Sequence, residues 1–121
     1  MILIDTSVWV DHFRSGDDAL VSLLNAGTVL AHPHVIGEIA LGQLKQRELV
    51  LRTLYELPQT TVATDSEVHA FIESEALFGF GIGYVDAHLL ASVRLTSGAS
   101  LWTRDKKLAE VAERLKLAAN V

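Results

Sequence analysis

Cysteine is absent from the 121-residue chain. Its absence excludes disulfide bonds, thiolate metal sites and a cysteine nucleophile, and it is compatible with a reducing compartment. The first residues also lack the basic segment and the cleavage site of a secretory signal. Together these absences predict a cytoplasmic protein.

A long apolar run is missing as well. The longest uncharged stretch, Ala19 to Gly37, approaches membrane-spanning length, but polar residues, a glycine and Pro33 interrupt it. We therefore interpret it as part of a soluble core. With 50% hydrophobic and 21% charged residues the chain is not intrinsically disordered, and its length predicts one globular domain spanning residues 1–121.

Positive charge is scarce, since the formal net charge is −5. This is the wrong sign for a protein that covers nucleic acid with its whole surface. Any contact with nucleic acid must therefore be local, or must be helped by bound cations.

Short apolar segments alternate with helical patterns along the chain. Strands are predicted at 2–4, 28–32, 60–63 and 100–103, with a last edge strand at 117–120. Helices are predicted at about 6–13, 18–26, 33–44, 48–57, 64–78, 84–95 and 105–116. Apolar strands separated by helices indicate an α/β fold, in which helices cover both faces of a central, mostly parallel sheet.

Two aspartates stand where predicted strands end. Asp5 directly follows the first apolar strand, and Asp105 comes just after Thr103 at the end of a late strand. Open parallel sheets bind ligands at the carboxyl ends of their strands, so both carboxylates are candidates for a functional site. Because each also precedes a helix, a helix cap is the alternative role.

Two further acids lie among apolar residues. Glu38 lies in the segment VIGEIALG, with no lysine or arginine three or four residues away to pair with it. Asp86 lies in YVDAHLLA, in a first helical turn where an aspartate can simply favour the helix dipole. If all four acids converged, repulsion and desolvation would raise their pKa values and oppose folding. A divalent cation would remove this conflict.

The ligand chemistry favours a hard cation. Four carboxylates offer only oxygen, which suits Mg²⁺ or Mn²⁺ rather than Zn²⁺. The HPH segment, His32 to His34, leaves zinc as an alternative, but neither an HExxH motif nor a cysteine framework accompanies it. Cancelling four acids would leave eleven acidic against ten basic residues, a net charge of −1 instead of −5.

The order of these motifs resembles a known family. IDTS after the first strand, a glutamate on a helix near residue 40, an aspartate opening a later helix and TRD after a late strand are similar to PIN-domain ribonucleases. A compact chain of this length resembles, more narrowly, the VapC toxins of toxin-antitoxin pairs. The resemblance covers essentially the whole chain and implies a PIN-like three-layer α/β/α sandwich.

The resemblance also implies an activity and partners. It implies a Mg²⁺- or Mn²⁺-dependent endonuclease that cuts RNA, forms a homodimer and is neutralised by a cognate antitoxin, whose peptide segment covers the acidic site. Residue by residue, the acidic site of the family falls on Asp5, Glu38, Asp86 and Asp105. The hydroxyl-bearing neighbours fall on Thr6, Ser7 and Thr103.

The chemistry of phosphodiester hydrolysis assigns roles to these side chains. The reaction needs an activated water, neutralised charge at phosphorus and a stabilised leaving oxygen, all of which carboxylate-held metal ions provide. Asp5 and Asp105 are predicted as direct ligands, Asp86 as a direct or water-mediated ligand, and Glu38 as a ligand or water-orienting base. The hydroxyls of Thr6, Ser7 and Thr103 are predicted to orient the carboxylates, with helix capping as the alternative.

Several other residues are candidates for contacts with RNA or a partner. The loop FGFGIGY lacks the third glycine of a dinucleotide-binding motif, so we interpret it as a loop whose Phe80 or Tyr84 could stack on a base. Trp9 and Phe13 are predicted to lie in the core or to face the antitoxin. Basic residues near the acids are predicted to meet phosphates, with a solvated helix start as the alternative: Arg104, Lys106, Lys107 and Arg14.

The sequence is also compatible with two other functions. A receiver domain has a similar length and binds magnesium, and it would require a phosphorylated aspartate after a middle strand, for which Asp65 is the candidate. Only Asp5 follows the first strand, however, and Glu38 would have no task in a receiver. The other rival is a catalytically inactive binding module with the PIN fold, against which the presence of all four acids argues.

Overall fold

The computed structural model describes residues 1–121 as ten regular elements. The strands are β1 (Ile2–Ile4), β2 (Val29–Leu30) and β3 (Ser100–Trp102). The helices are α1 (Thr6–Ser15), α2 (Asp18–Asn25), α3 (Pro33–Ala40), α4 (Arg47–Glu56), α5 (Asp65–Ser74), α6 (Tyr84–Leu95) and α7 (Lys106–Arg114). None of the helices has both the length and the apolar character needed to span a membrane.

The sheet is parallel, and β1 lies at its centre in the order β2-β1-β3. Leu3 pairs with Leu30 on one side and with Leu101 on the other. Because β1 has strands on both sides and helices on both faces, Leu3 and Ile4 are completely buried. This arrangement confirms the predicted α/β/α architecture with a parallel central sheet.

The two outermost predicted strands are much reduced. The strand predicted at 60–63 does not form, and the nearest contact with the sheet is a single parallel bridge just before it, between Ala31 and Gln59. The edge strand predicted at 117–120 is likewise one bridge, between Leu101 and Ala118. β-Branched residues favour a strand, but a strand also needs a neighbouring strand that pairs with it along several residues. Only one bridge forms at or beside each of these segments.

Local sequence signals begin and end most helices as predicted. Thr64 and Glu67 form a reciprocal capping box at the start of α5, and Pro33 occupies the first turn of α3. Helix α3 ends at Ala40 and helix α5 at Ser74, each four residues before the predicted end at 44 and 78. In α3, Leu41 is the C-cap and Gly42 comes next, and a glycine weakens helix continuation.

A buried histidine links α3 to α6. The His32 side chain is fully buried, its Nδ1 accepts the backbone N–H of His34 at 3.0 Å, and its Nε2 lies 3.0 Å from the Ser92 hydroxyl. Since Nδ1 accepts a hydrogen bond, the neutral ring carries its proton on Nε2 and donates to Ser92. Desolvation first, and then the neighbouring His34 and His88, lower the pKa of His32 from 6.5 to about 4.

This shift predicts acid sensitivity of the fold. Between pH 6.5 and pH 4 the unfolded chain binds the His32 proton and the folded chain does not, so stability is complete above pH 6.5 and falls as the pH drops toward 4. The loss from this residue is at most about 3 kcal/mol. Urea unfolding at pH 7 and pH 4.5 measures it, with His32→Gln as the comparison. An equal acid-induced loss in His32→Gln would contradict the assignment.

Candidate active site

Asp5 lies at the carboxyl end of β1, where it also caps α1. Its backbone N–H donates to the Trp102 carbonyl at 2.9 Å, which ties the end of β1 to β3. The hydroxyls of Ser7 and Thr103 donate to the same carboxylate oxygen, Oδ2, at 2.7 and 2.8 Å. The side chain is only 7% exposed, so these two bonds hold an almost buried carboxylate in one orientation.

Asp105 lies beyond the end of β3 and caps α7. Its Oδ1 accepts the backbone N–H of Leu108 at 3.0 Å, and its own N–H donates to the Thr103 hydroxyl at 3.1 Å. Thr103 therefore connects Asp105 to Asp5 through hydrogen bonds. Each of the two aspartates is a helix cap and also lies at the carboxyl edge of the sheet, so capping does not exclude a further role at that edge.

Glu38 projects from α3 toward the start of α1. Its Oε1 accepts a hydrogen bond from the Thr6 hydroxyl at 2.6 Å. The side chain is exposed, and it takes part in none of the four ion pairs of the structure. A helix with apolar neighbours therefore presents a carboxylate whose bonded partner is a hydroxyl rather than a basic side chain.

Asp86 lies in the first turn of α6 and is half-buried. Its Oδ2 accepts the backbone N–H of Gly83 at 3.1 Å. Burial raises its pKa above the ordinary value, and the charges of Asp5, Asp105 and Glu38 raise it further. Asp86 therefore lies within electrostatic range of each of the other three acids.

The four carboxylates do not converge on one point. In this structure no group of three or more histidine, aspartate or glutamate side chains is gathered to hold one metal ion. Each carboxylate instead has its own local hydrogen bond, which is the arrangement expected of like charges that repel. The donors are all carboxylate oxygens, and the charge of Asp86 is disfavoured by burial and by the other acids. Such a set fits a hard divalent cation, because the cation would remove the repulsion.

The predicted basic residues have different surroundings. Lys106 and Lys107 begin α7 directly after Asp105, and the Lys107 amino group lies against Gly81. Arg14 lines a groove that Glu38 also borders. The Arg104 guanidinium, in contrast, pairs with two carboxylates that sequence reasoning missed.

Those two acids are Asp11 and Asp17. Arg104 donates to Asp11 at 2.7 Å, and its second terminal nitrogen donates to Asp17. The four-residue spacing from Ser7 to Asp11 on α1 was a usable signal, because it places both on one face of the helix. The link to Arg104 crosses more than eighty residues of sequence, and only the fold shows it.

The histidines of the HPH segment serve packing rather than a metal. His32 caps α3 through its ring nitrogen, and the rings of His34 and His88 stack with centroids 4.5 Å apart. These histidines form no group of three or more side chains that could hold a metal ion. His88 also lies 2.9 Å from Asp65, which receives a second hydrogen bond from Tyr84 and so joins α5 to α6.

Comparison with known proteins identifies the family. The PIN domain family model matches residues 2–114. The chain therefore belongs to the PIN-domain family, which confirms the class predicted from the order of its acidic motifs.

Relatives within the family narrow the resemblance. The chain is 52% identical over 108 residues to Ribonuclease VapC32 from two strains of Mycobacterium tuberculosis, CDC 1551 / Oshkosh and ATCC 25618 / H37Rv. The alignment covers 89% of this chain and 87% of each relative. This likeness confirms the VapC-like character expected from the compact length and the motifs.

Proposed function

We propose that the chain is a VapC-type toxin, an endoribonuclease that hydrolyses RNA phosphodiester bonds with Mg²⁺ or Mn²⁺ and acts in the cytoplasm as a single PIN domain, residues 1–121. The observation that carries the proposal is the almost buried carboxylate of Asp5 at the end of the central strand, which the Ser7 and Thr103 hydroxyls hold and which Thr103 links to Asp105. The raised pKa of Asp86, caused by burial and by the charges of the other three acids, agrees with it. A ribonuclease relative that aligns with most of the chain supports the same activity.

The side chains divide the work of the reaction. Asp5, Asp105 and Asp86 would hold the cation, which when bound activates water and neutralises charge on the phosphate. Thr103 and Ser7 hold Asp5 by one oxygen and so fix the direction of the carboxylate.

Glu38 is suited to handle the attacking water. Its carboxylate is exposed, one oxygen accepts the Thr6 hydroxyl, and no basic side chain neutralises it. It would orient the water and accept its proton, or serve as a further ligand.

Contacts with RNA fall on the surface around the acids. Lys106 and Lys107 lie beside Asp105, and Arg14 borders the same groove as Glu38, so all three can meet phosphates that flank the cut bond. In the glycine-rich loop Phe78 is 67% exposed, whereas Tyr84 is hydrogen-bonded to Asp65. Phe78 therefore replaces Tyr84 as the candidate for stacking on an unpaired base.

A groove of about 680 Å³ is the candidate docking place for a cognate antitoxin. Phe13, Val10 and Val50 give it an apolar floor, and Glu38 opens it to the acidic site. A segment with an apolar stripe and a basic residue would fill the groove and neutralise the acids at once. Trp9 is buried and does not contribute to this surface. Self-association as a homodimer is part of the same proposal.

The direct test is cleavage by the purified chain. Total RNA is incubated with the protein and Mg²⁺ or Mn²⁺, and new 5′ ends are mapped by sequencing. We expect discrete new ends that disappear when a chelator is added. Random degradation that persists with chelator, or no new ends under any metal, would contradict the proposal.

The receiver alternative loses its key residue. Asp65 is the first residue of α5, follows no strand and is bonded to Tyr84 and His88. A phosphoacceptor must instead stand free at a strand end beside the bound magnesium.

A further inference from the structure

Arg104 is unusual among the basic residues near the acids because its guanidinium is already engaged on several sides. One terminal nitrogen donates to Asp11 of α1 and the other to Asp17, which caps α2. The guanidinium carbon also lies 5.6 Å from the centre of the Trp102 ring. Both terminal nitrogens of the guanidinium are thus engaged with carboxylates, so a phosphate would have to compete with two carboxylates that already hold them.

The charges agree with the geometry. Asp11 and then Asp17, through their hydrogen bonds, raise the pKa of Arg104. The Leu20 backbone N–H and then the guanidinium lower the pKa of Asp17. The three ionised side chains together carry a net charge of −1, so this cluster does not attract phosphate as an isolated arginine would.

The backbone of Arg104 continues the same chain of bonds into the acidic site. Its N–H donates to the Ser7 hydroxyl at 3.0 Å, and this hydroxyl donates to Asp5 at 2.7 Å. Ser7 and Asp11 lie one turn apart on α1, so Arg104 holds that face of the helix with its backbone at one residue and its side chain at the other.

We propose that Arg104 is a positioning residue that clamps the loop between β3 and α7 onto α1 and α2, and that it is not a contact for RNA. The clamp fixes the Ser7 hydroxyl, and through it the direction in which Asp5 presents its carboxylate to the cation. This inference rests on the proposed metal-dependent cleavage and assigns Arg104 a different part in it from Lys106 and Lys107.

Arg104→Lys is the informative change, because lysine keeps the charge but lacks the planar fork whose two terminal nitrogens reach Asp11 and Asp17 separately. We expect kcat for a fluorophore-quencher RNA to fall about tenfold and the Mn²⁺ concentration for half-maximal rate to rise about tenfold, with KM for RNA within about twofold. The dependence of KM on salt is expected to remain that of the original protein. Lys106→Met is the matched comparison, with a higher KM and a salt slope reduced by about one.

A variant at Asp11, a carboxylate partner of Arg104, tests the same proposal independently. Asp11→Ala removes one of the two side chains that hold the guanidinium, so it is expected to reproduce the loss in Arg104→Lys, and the double variant is expected to be no worse than either single one. Circular dichroism and thermal unfolding verify the fold of each variant. A higher KM and a lower salt slope in Arg104→Lys, with kcat unchanged, would overturn the proposal and make Arg104 an RNA contact.

Calorimetric titration with Mn²⁺ alone separates this inference from the proposed function. We expect Arg104→Lys to bind Mn²⁺ about tenfold more weakly than the original protein. If the original protein binds Mn²⁺ but cuts no RNA, the proposed function fails while weaker Mn²⁺ binding by the variant still supports the clamp. Equal Mn²⁺ affinities, or no Mn²⁺ binding by the original protein, would overturn the clamp.

Discussion

Asp5→Asn is expected to abolish RNA cleavage, with a loss of about 10³-fold or more. The change keeps the size and the oxygen that accepts hydrogen bonds from Ser7 and Thr103, so the local structure is retained. It removes the charge of an almost buried carboxylate at the end of the central strand, where a cation would lie. A metal-held reaction loses several kcal/mol of transition-state stabilisation with such a ligand, which corresponds to this factor.

Cleavage of a labelled RNA at saturating Mg²⁺ measures the loss, and circular dichroism measures the fold. Asp18→Asn is the matched control, because Asp18 is an exposed acid in the first turn of α2 and outside the acidic site. It is expected to cleave within about twofold of the original protein. Undiminished cleavage by a folded Asp5→Asn protein would exclude the acidic edge as the place of reaction.

The central sheet and all seven helices could be predicted from the sequence because their signals are local. Strand β1 consists of three adjacent apolar residues, and Thr64 with Glu67 marks the start of α5 within four residues. The segment at 60–63 has the composition of a strand, but it pairs with no strand. The nearest contact with the sheet is one bridge, between Gln59 and Ala31. Whether an edge segment extends into a strand depends on tertiary pairing, which local patterns do not contain.

The acidic site could be anticipated for a different reason. Parallel strands end at the same edge of a sheet, so Asp5 and Asp105 were expected to be neighbours once the strands were placed. Glu38 was conspicuous because nothing nearby in sequence neutralised it. The partners of Arg104 could not be anticipated, because a basic residue beside an acidic motif looks the same whether it meets a phosphate or distant carboxylates.

Two aspartates in the first turns of helices show why position alone does not assign a role. Asp65 is exposed, and hydrogen bonds from His88 and Tyr84 lower its pKa. Asp86 is half-buried, and burial together with three acidic neighbours raises its pKa. The helix dipole favours both equally, so the difference arises from the tertiary surroundings. A carboxylate that the fold itself disfavours is typical of a functional site.

Asp86→Asn is therefore expected to stabilise the metal-free protein while it removes most of the activity. Asparagine still accepts the Gly83 N–H that Asp86 now accepts at 3.1 Å, and it relieves the repulsion from the other acids. We expect the Tm without metal to rise by about 2–5 °C and cleavage to fall about 10²-fold or more. Thermal unfolding in chelator and a cleavage assay with Mg²⁺ measure the two effects.

Asp65→Asn and the response to metal decide what such a result means. Asp65 is stabilised as a carboxylate, so its replacement is expected to lower the Tm, the opposite sign to Asp86→Asn. Saturating Mg²⁺ should raise the Tm of the original protein, because a ligand that binds only the folded state stabilises it. Asp86→Asn should lose much of that increase, since the cation then relieves less repulsion. A lower Tm for Asp86→Asn in chelator would instead show that Asp86 stabilises the fold as a helix cap. It would contradict the prediction that its charge destabilises the metal-free protein.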